Sequence, residues 1–264
     1  MVRKILILVT PFIFLAAAVN AGSDALTDRL DLSTNAFREL MQASDASIPR
    51  DLLQKCEAIV IFPRTINVAW GLGGQYGKGV ALKRDRSTGR WSQPAFYMIG
   101  GLTLGPQIGG ETVDIVLVVL NERGLTSLLN SKCTLGGDAG IAIGPVGRKA
   151  TASTDLLLTA EILSYSRAKG LYVGMSVKGA VVMPDNEANR LYYKSDLSAR
   201  QILLERQGQL KDGSKPLLKT INRFAPPKST FFGIQLLSGF GIFIILFALF
   251  LVIWGIMAVV RKRT

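Results

Sequence analysis

The chain has 264 residues, 48% of them hydrophobic, and a formal net charge of +12 at pH 7, enough to bury one substantial core and to attract an anionic surface. It contains no histidine, which removes the usual general base, the Ser-His and Cys-His nucleophile pairs and most zinc sites. Catalysis therefore starts from a low expectation, and neither a cofactor nor a metal is predicted. Cys56 and Cys133 stand far apart without ligand-like spacing, so two buried thiols are expected in preference to the disulfide that an oxidising compartment would permit.

Arg3-Lys4, the apolar run Ile5 to Val19 and the small residues around Ala21 have the three-part form of a secretory signal over residues 1–21, with an uncleaved signal anchor as the alternative. Residues Asp24 to Ala43 read as a helix with Leu26, Leu30, Phe37, Leu40 and Met41 mainly along one face. Its acidic polar face favours packing against a core over lying in a membrane surface. A second short helix is predicted from Ser47-Ile48-Pro49, with Ser47 as its cap. Ala58 to Phe62 is a continuous apolar run expected to be a buried strand ended by Pro63.

Asn67 to Gly79 carries five glycines that fit neither a Walker A loop nor a dinucleotide fingerprint. Such density inside a strand pattern predicts bulges and a strongly curved sheet. Val80 and Leu82, then Ala95, Tyr97 and Ile99, form two strands joined by the polar turn Arg84 to Arg90, in which Gly89 can take a positive φ. The turn is expected to gather Lys83, Arg84, Arg86 and Arg90, with Trp91 at its edge, and Arg84, Arg86 and Arg90 are expected to extend into water. Trp91 suits the interfacial layer of a membrane, although taken alone it is expected in the core.

Val113 to Leu120 is the most hydrophobic internal strand, and Asn121-Glu122 can cap a helix through Leu129. Gly136 to Gly147, Ile162 to Ser166 and Leu171 to Val182 continue the β pattern. The hydroxyls of Ser164-Tyr165-Ser166 lack a partnered base and read as structural. The predicted fold class is thus α+β: a mainly antiparallel, strongly curved, barrel-like glycine-rich sheet with flanking helices, followed by one transmembrane helix.

Several ordered motifs resemble the SYLF domain family, named for lipid-binding and actin-binding proteins. They are Ser47-Ile48-Pro49, Gly77-Lys78-Gly79, Trp91-Ser92-Gln93-Pro94-Ala95-Phe96, Gly105-Pro106-Gln107-Ile108-Gly109, Gly144-Pro145-Val146-Gly147-Arg148, Ser164 to Gly174 and Asn189-Arg190-Leu191-Tyr192-Tyr193. The resemblance covers most of residues 40 to 195 and implies phospholipid binding and, for some eukaryotic members, actin-filament binding, with no catalytic residue. This chain resembles an exported, membrane-tethered version without the SH3 or FYVE modules of eukaryotic relatives, a setting in which cytosolic filaments would not be met.

Residues 22–200 are accordingly expected to form the SYLF-like domain and 201–230 a basic juxtamembrane linker. Residues 231–260, the expected transmembrane helix, are almost wholly apolar, with an uncharged core Gly239 to Val260 long enough to span roughly 30 Å of hydrocarbon, and Arg261-Lys262-Arg263 favours a cytoplasmic tail, 261–264. The domain itself is then expected on the extracytoplasmic, or periplasmic, side. The expected partner is an anionic phospholipid membrane, contacted through Lys78, Lys83, Arg84, Arg86, Arg90 and Trp91. A protein partner is the alternative, and nucleic acid is not expected because nothing resembles a stacking platform or recognition helix.

Overall fold

One long antiparallel hairpin dominates the architecture. The computed structural model describes residues 24–43, 47–146, 160–168, 171–172 and 177–228, and of residues 69–72, 102–109 and 171–172 it describes the backbone alone. The chain divides into two units, Met1–Pro227 and Lys228–Thr264, and the elements that follow belong to the first. The predicted signal (1–21), the apolar segment 231–260 and the tail 261–264 lie outside the described residues. Among the described residues no helix is long and apolar enough to cross a membrane.

Strand β1 (Ala58–Lys83) pairs antiparallel with β2 (Ala95–Val119), from Ala58 opposite Val119 to Ala81 opposite Ala95. The predicted turn closes this hairpin. Asp85 N–H donates to the Arg90 carbonyl at 2.8 Å, Gly89 N–H donates to the Asp85 carbonyl at 2.8 Å, and Gly89 has φ +69, a value natural to glycine. Asp85 Oδ1 accepts from Ser87 N–H at 2.9 Å and Thr88 N–H at 2.8 Å, the local bonding that makes Asp a turn former.

Pro63 does not end the first strand. The register shifts between Phe62 and Thr65, and Arg64 takes φ +48, so the proline's missing donor falls at a bulge and the ladder resumes beyond it. A second shift lies between Trp70 and Leu72, in the glycine-dense stretch, and there the hairpin folds over itself. The two ends of β1 meet, with Arg84 N–H donating to the Glu57 carbonyl at 2.7 Å. A Cβ on Gly77 would stand 2.5 Å from Thr65 Oγ1, and one on Gly79 would overlap the Ile61 carbonyl. These glycines are what lets the arms approach.

Among the described residues the hairpin anchors a seven-stranded sheet. On β2, β5 (Ile162–Ala168) pairs with residues 113–119 and β7 (Val181–Pro184) with residues 97–100, both antiparallel. Short strands β3 (Cys133–Thr134), β4 (Ile141–Ile143) and β6 (Leu171–Tyr172) complete it, and β4 lies parallel to β5. The α+β class and a mainly antiparallel, curled, half-barrel sheet are therefore observed. Among the described residues of the glycine-spaced region 136–147, Ile141–Ile143 form β4 and Ala139 makes an isolated bridge with Leu135.

Helix α1 (residues 24–42) buries Leu26, Leu30, Phe37, Leu40 and Met41, which is the core-packing arrangement. It is fastened by Arg29 to Asp185 at 2.9 Å and by an ion pair of Glu39 with Arg167. Helix α2 (Arg50–Lys55) has Pro49 at its N-cap and no side-chain cap, so Ser47 does not serve the capping role expected of it. Helix α3 (Glu122–Leu128) begins as predicted, with Asn121 Oδ1 accepting from Gly124 N–H at 3.0 Å.

Helices α4 (Asn186–Tyr193), α5 (Ala199–Leu203) and α6 (Lys215–Phe224) follow β7. The linker expected over residues 201–230 is thereby corrected. Leu217, Ile221, Phe224 and Ala225 are buried, because these apolar positions recur three or four apart and give α6 a face that packs on the core.

Candidate anion-binding face

The hairpin turn, the C-terminal end of α2 and the segment after α6 converge on one side chain. Arg84 is only 3% exposed. Its guanidinium donates to the Leu53 and Gln54 carbonyls at 3.2 Å each and to the Pro226 carbonyl at 2.8 Å, and it lies 5.7 Å from the Trp91 ring centroid. The two α2 carbonyls belong to a helix end whose last C=O groups have no intrahelical partner. Trp91 is buried beside it, with Nε1 donating to the Ala225 carbonyl at 3.3 Å.

The expectation that Arg84 extends into water is thus corrected. Arg84 and Trp91 are internal, which leaves the turn's outer surface to Lys83, Arg86 and Arg90. Trp91 takes the core position preferred for it alone. Arg86 is exposed but balanced by carboxylates, forming an ion pair with the buried Glu57 and standing 3.7 Å from Glu122. Asp85 is 3.1 Å from Arg206, and its own carboxyl is held well below the usual range by hydrogen bonds from Ser87 and Thr88.

Lys83 is half-buried and Arg90 exposed, and neither forms an ion pair among the described residues. Lys78 is exposed on β1 but belongs elsewhere, since five residues of strand separate it from Lys83 by about 17 Å.

Three cations that the sequence reading did not include join the face. Arg50 and Arg223 lie 5.8 and 5.9 Å from the Phe224 ring centroid, and Lys55 follows Gln54 at the end of α2; all three are exposed. The Arg223-Phe224 dipeptide at the end of an apolar period was a legible sign of such a site. Nothing in the sequence brings Arg50 or Lys55 to it.

The remaining features have structural explanations. Ser164 and Ser166 are buried within β5. Burial pushes the Cys56 thiol up to about 12 and the Cys133 thiol up to about 11, and both are free cysteines. Glu122, Arg123, Thr126, Ser127, Asp138 and Glu161 line a cavity of about 450 Å³. Two of its carboxylates are occupied by backbone donors, Asp138 by Thr134 N–H at 2.7 Å and Glu161 by Gly140 N–H at 3.2 Å. Among the described residues no group of three or more Cys, Asp or Glu side chains could hold a metal ion.

Comparison with known proteins gives this arrangement a lineage. The family profile described as "Ysc84: Las17-binding protein actin regulator" matches residues 100–224, so the match runs to the last residue of α6. An SH3 domain-containing protein of Schizosaccharomyces pombe is 32% identical over 180 residues, covering 66% of this chain and 41% of that protein. Protein YSC84 of Saccharomyces cerevisiae is 29% identical over 181 residues, 67% of this chain and 38% of its own length. The human SH3 domain-containing YSC84-like protein 1 is 30% identical over 160 residues, 60% and 46% of the two chains. The chain thus spans less than half the length of each of these relatives. Over residues 100–224 the chain matches the Ysc84, or SYLF, domain family, and it resembles members of that family along about two thirds of its length.

Proposed function

We propose that this chain is a non-enzymatic, membrane-tethered binding module whose basic face contacts anionic phospholipid head groups from the extracytoplasmic side. The observation that carries the reading is the gathering of Arg50, Lys55, Lys83, Arg90 and Arg223, exposed or half-buried and without ion pairs among the described residues, around the buried Arg84. Each cation near an anionic surface contributes about 1 kcal/mol. The first unit ends at Pro227, beside this face, and the apolar segment begins only a few residues later at Phe231. A bilayer holding that segment is consistent with head groups as the ligand.

The test is vesicle affinity against salt for the full chain held in amphipol, comparing wild type with Lys83→Gln/Arg90→Gln. Removing two cations costs about 2 kcal/mol if both engage, on the order of thirtyfold in affinity at low salt. The difference shrinks as the Debye length falls to about 8 Å at 0.15 M. Equal affinities at low salt, with both proteins folded, overturn the reading. A protein partner is the second reading, favoured by the Las17-binding and actin-regulating description of the family. It takes over if wild type fails to bind anionic vesicles.

A further inference from the structure

The long hairpin carries an apolar surface that the core does not use. On the outward face of β1, Ile66, Val68 and Tyr76 are 53%, 55% and 50% exposed, whereas the alternate residues Thr65, Asn67 and Gln75 are buried. Because β1 folds back with Thr65 against Gly77, the outward residues fall into levels counted from the bend at 70–72. Val68 and Gly74 lie nearest the bend, Ile66 and Tyr76 next, and the exposed cations Arg64 and Lys78 furthest. On the facing strand Ile66 stands opposite Thr112, Val68 opposite Gly110 and Tyr76 opposite Gly100, all uncharged. Glu111 and Asp114, on the facing strand beside these positions, are half-buried, and Asp114 accepts the Arg64 N–H at 2.8 Å.

The geometry points to the bend of the β1–β2 hairpin as a lipid-surface insertion site, with Ile66, Val68 and Tyr76 entering the interfacial layer and Arg64 and Lys78 resting at the phosphates. The order of levels carries the argument. A protein groove requires no cationic level behind an apolar one, whereas an interface between water and hydrocarbon does, since cations stay with head groups and Tyr prefers the boundary. At about 3.3 Å per residue, Ile66 reaches roughly 7 Å beyond Arg64, inside the 5–10 Å to which interfacial apolar faces sink, and Val68 roughly 13 Å, somewhat deeper. The inference rests on the reading that the partner is a membrane. It does not rest on the basic turn, which lies roughly 35 Å away along the strand from Leu72 to Lys83.

The experiment places an environment-sensitive fluorophore at Val68→Cys in the full chain held in amphipol, with Glu187→Cys, exposed on α4, as the control position. Vesicles are phosphatidylcholine with about one-third phosphatidylserine, to supply an anionic surface. The expected result is a blue shift and a several-fold rise in emission at position 68 and none at 187. The shift should persist in about 1 M salt, where the Debye length is about 3 Å. Ile66→Thr/Tyr76→Thr, which keeps β-branched or strand-compatible residues, should abolish the shift without changing the melting temperature. Vesicle flotation without a signal at position 68 overturns the insertion site, and so does a signal that the Ile66→Thr/Tyr76→Thr protein retains. Absence of flotation overturns the lipid partner and points to a protein instead. Lys83→Gln/Arg90→Gln leaves the position-68 shift of the bound fraction intact, so failure of the basic face and failure of the bend are read separately.

Discussion

Replacing Arg84 with Gln tests whether this residue holds the fold or meets a ligand. The substitution removes a guanidinium that is 3% exposed and bonded to the Leu53, Gln54 and Pro226 carbonyls. A buried acceptor left without its donor costs about 1–3 kcal/mol, and part of that is offset because a buried charge no longer has to be desolvated. The Leu53 carbonyl keeps the Cys56 thiol as a donor at 3.2 Å, and Gln54 and Pro226 are exposed residues whose carbonyls water can serve, so the total is about 1–3 kcal/mol, or about 2–12 °C in melting temperature for a domain of this size. Arg84→Lys should fall between, since an ammonium gathers its three donors on one atom, whereas the guanidinium reaches the Leu53 and Gln54 carbonyls from one nitrogen and the Pro226 carbonyl from another. The assay is thermal unfolding of the full chain followed by near-ultraviolet circular dichroism, which reads Trp91 beside the lost guanidinium. A Gln variant that melts within about 1 °C of wild type, well inside the surface-substitution range, yet loses vesicle binding would refute the reasoning and return Arg84 to the ligand surface.

Gly79→Ala should destabilise by at least 1–3 kcal/mol, read as a lower denaturation midpoint, because its Cβ would overlap the Ile61 carbonyl and stand 2.7 Å from Phe62 Cδ1. Burial raises the Cys56 and Cys133 thiols from about 9 to about 12 and about 11. The unfolded chain therefore loses those protons first, and stability should fall as pH rises above about 9. Ala replacements at both positions should flatten that decline in urea titrations, and native-state alkylation of the thiols should be slow until denaturant is added. A reporter enzyme active only outside the cytoplasm should work when fused after Lys228 and fail when fused after Thr264, which tests the proposed topology.

Local chemistry was readable in the sequence where it acts over a few residues. The Asp85–Gly89 turn, the Asn121 cap and the apolar face of α1 each depend on neighbours within one or two turns of chain, and each is found in place. Pro63 misled because proline's missing donor is usually a strand terminator, and a bulge at Arg64 removed the need for that donor. Residues 201–230 read as linker because their glycines and prolines outweighed the spacing of Leu217, Ile221 and Phe224. Arg84 was the hardest residue to place. Its polar turn context says solvent, and only the arrival of Pro226, 142 residues later, converts it to an internal donor. The exposed partners of the candidate face, Arg50 and Lys55, are likewise brought there by packing that no local pattern announces.

The attachment of Ala225 and Pro226 to the hairpin has a mechanical consequence. A pull on the chain at Pro227 does not first unwind α6 from its last turn, because the Arg84 fork and the Trp91 indole grip the two residues that follow the helix. The load passes instead into the turn that joins β1 and β2 and is shared along a ladder of paired backbone groups running the length of both strands. Traction at the end of the first unit is thus borne by the sheet, and α6 is shielded from it until those two grips fail.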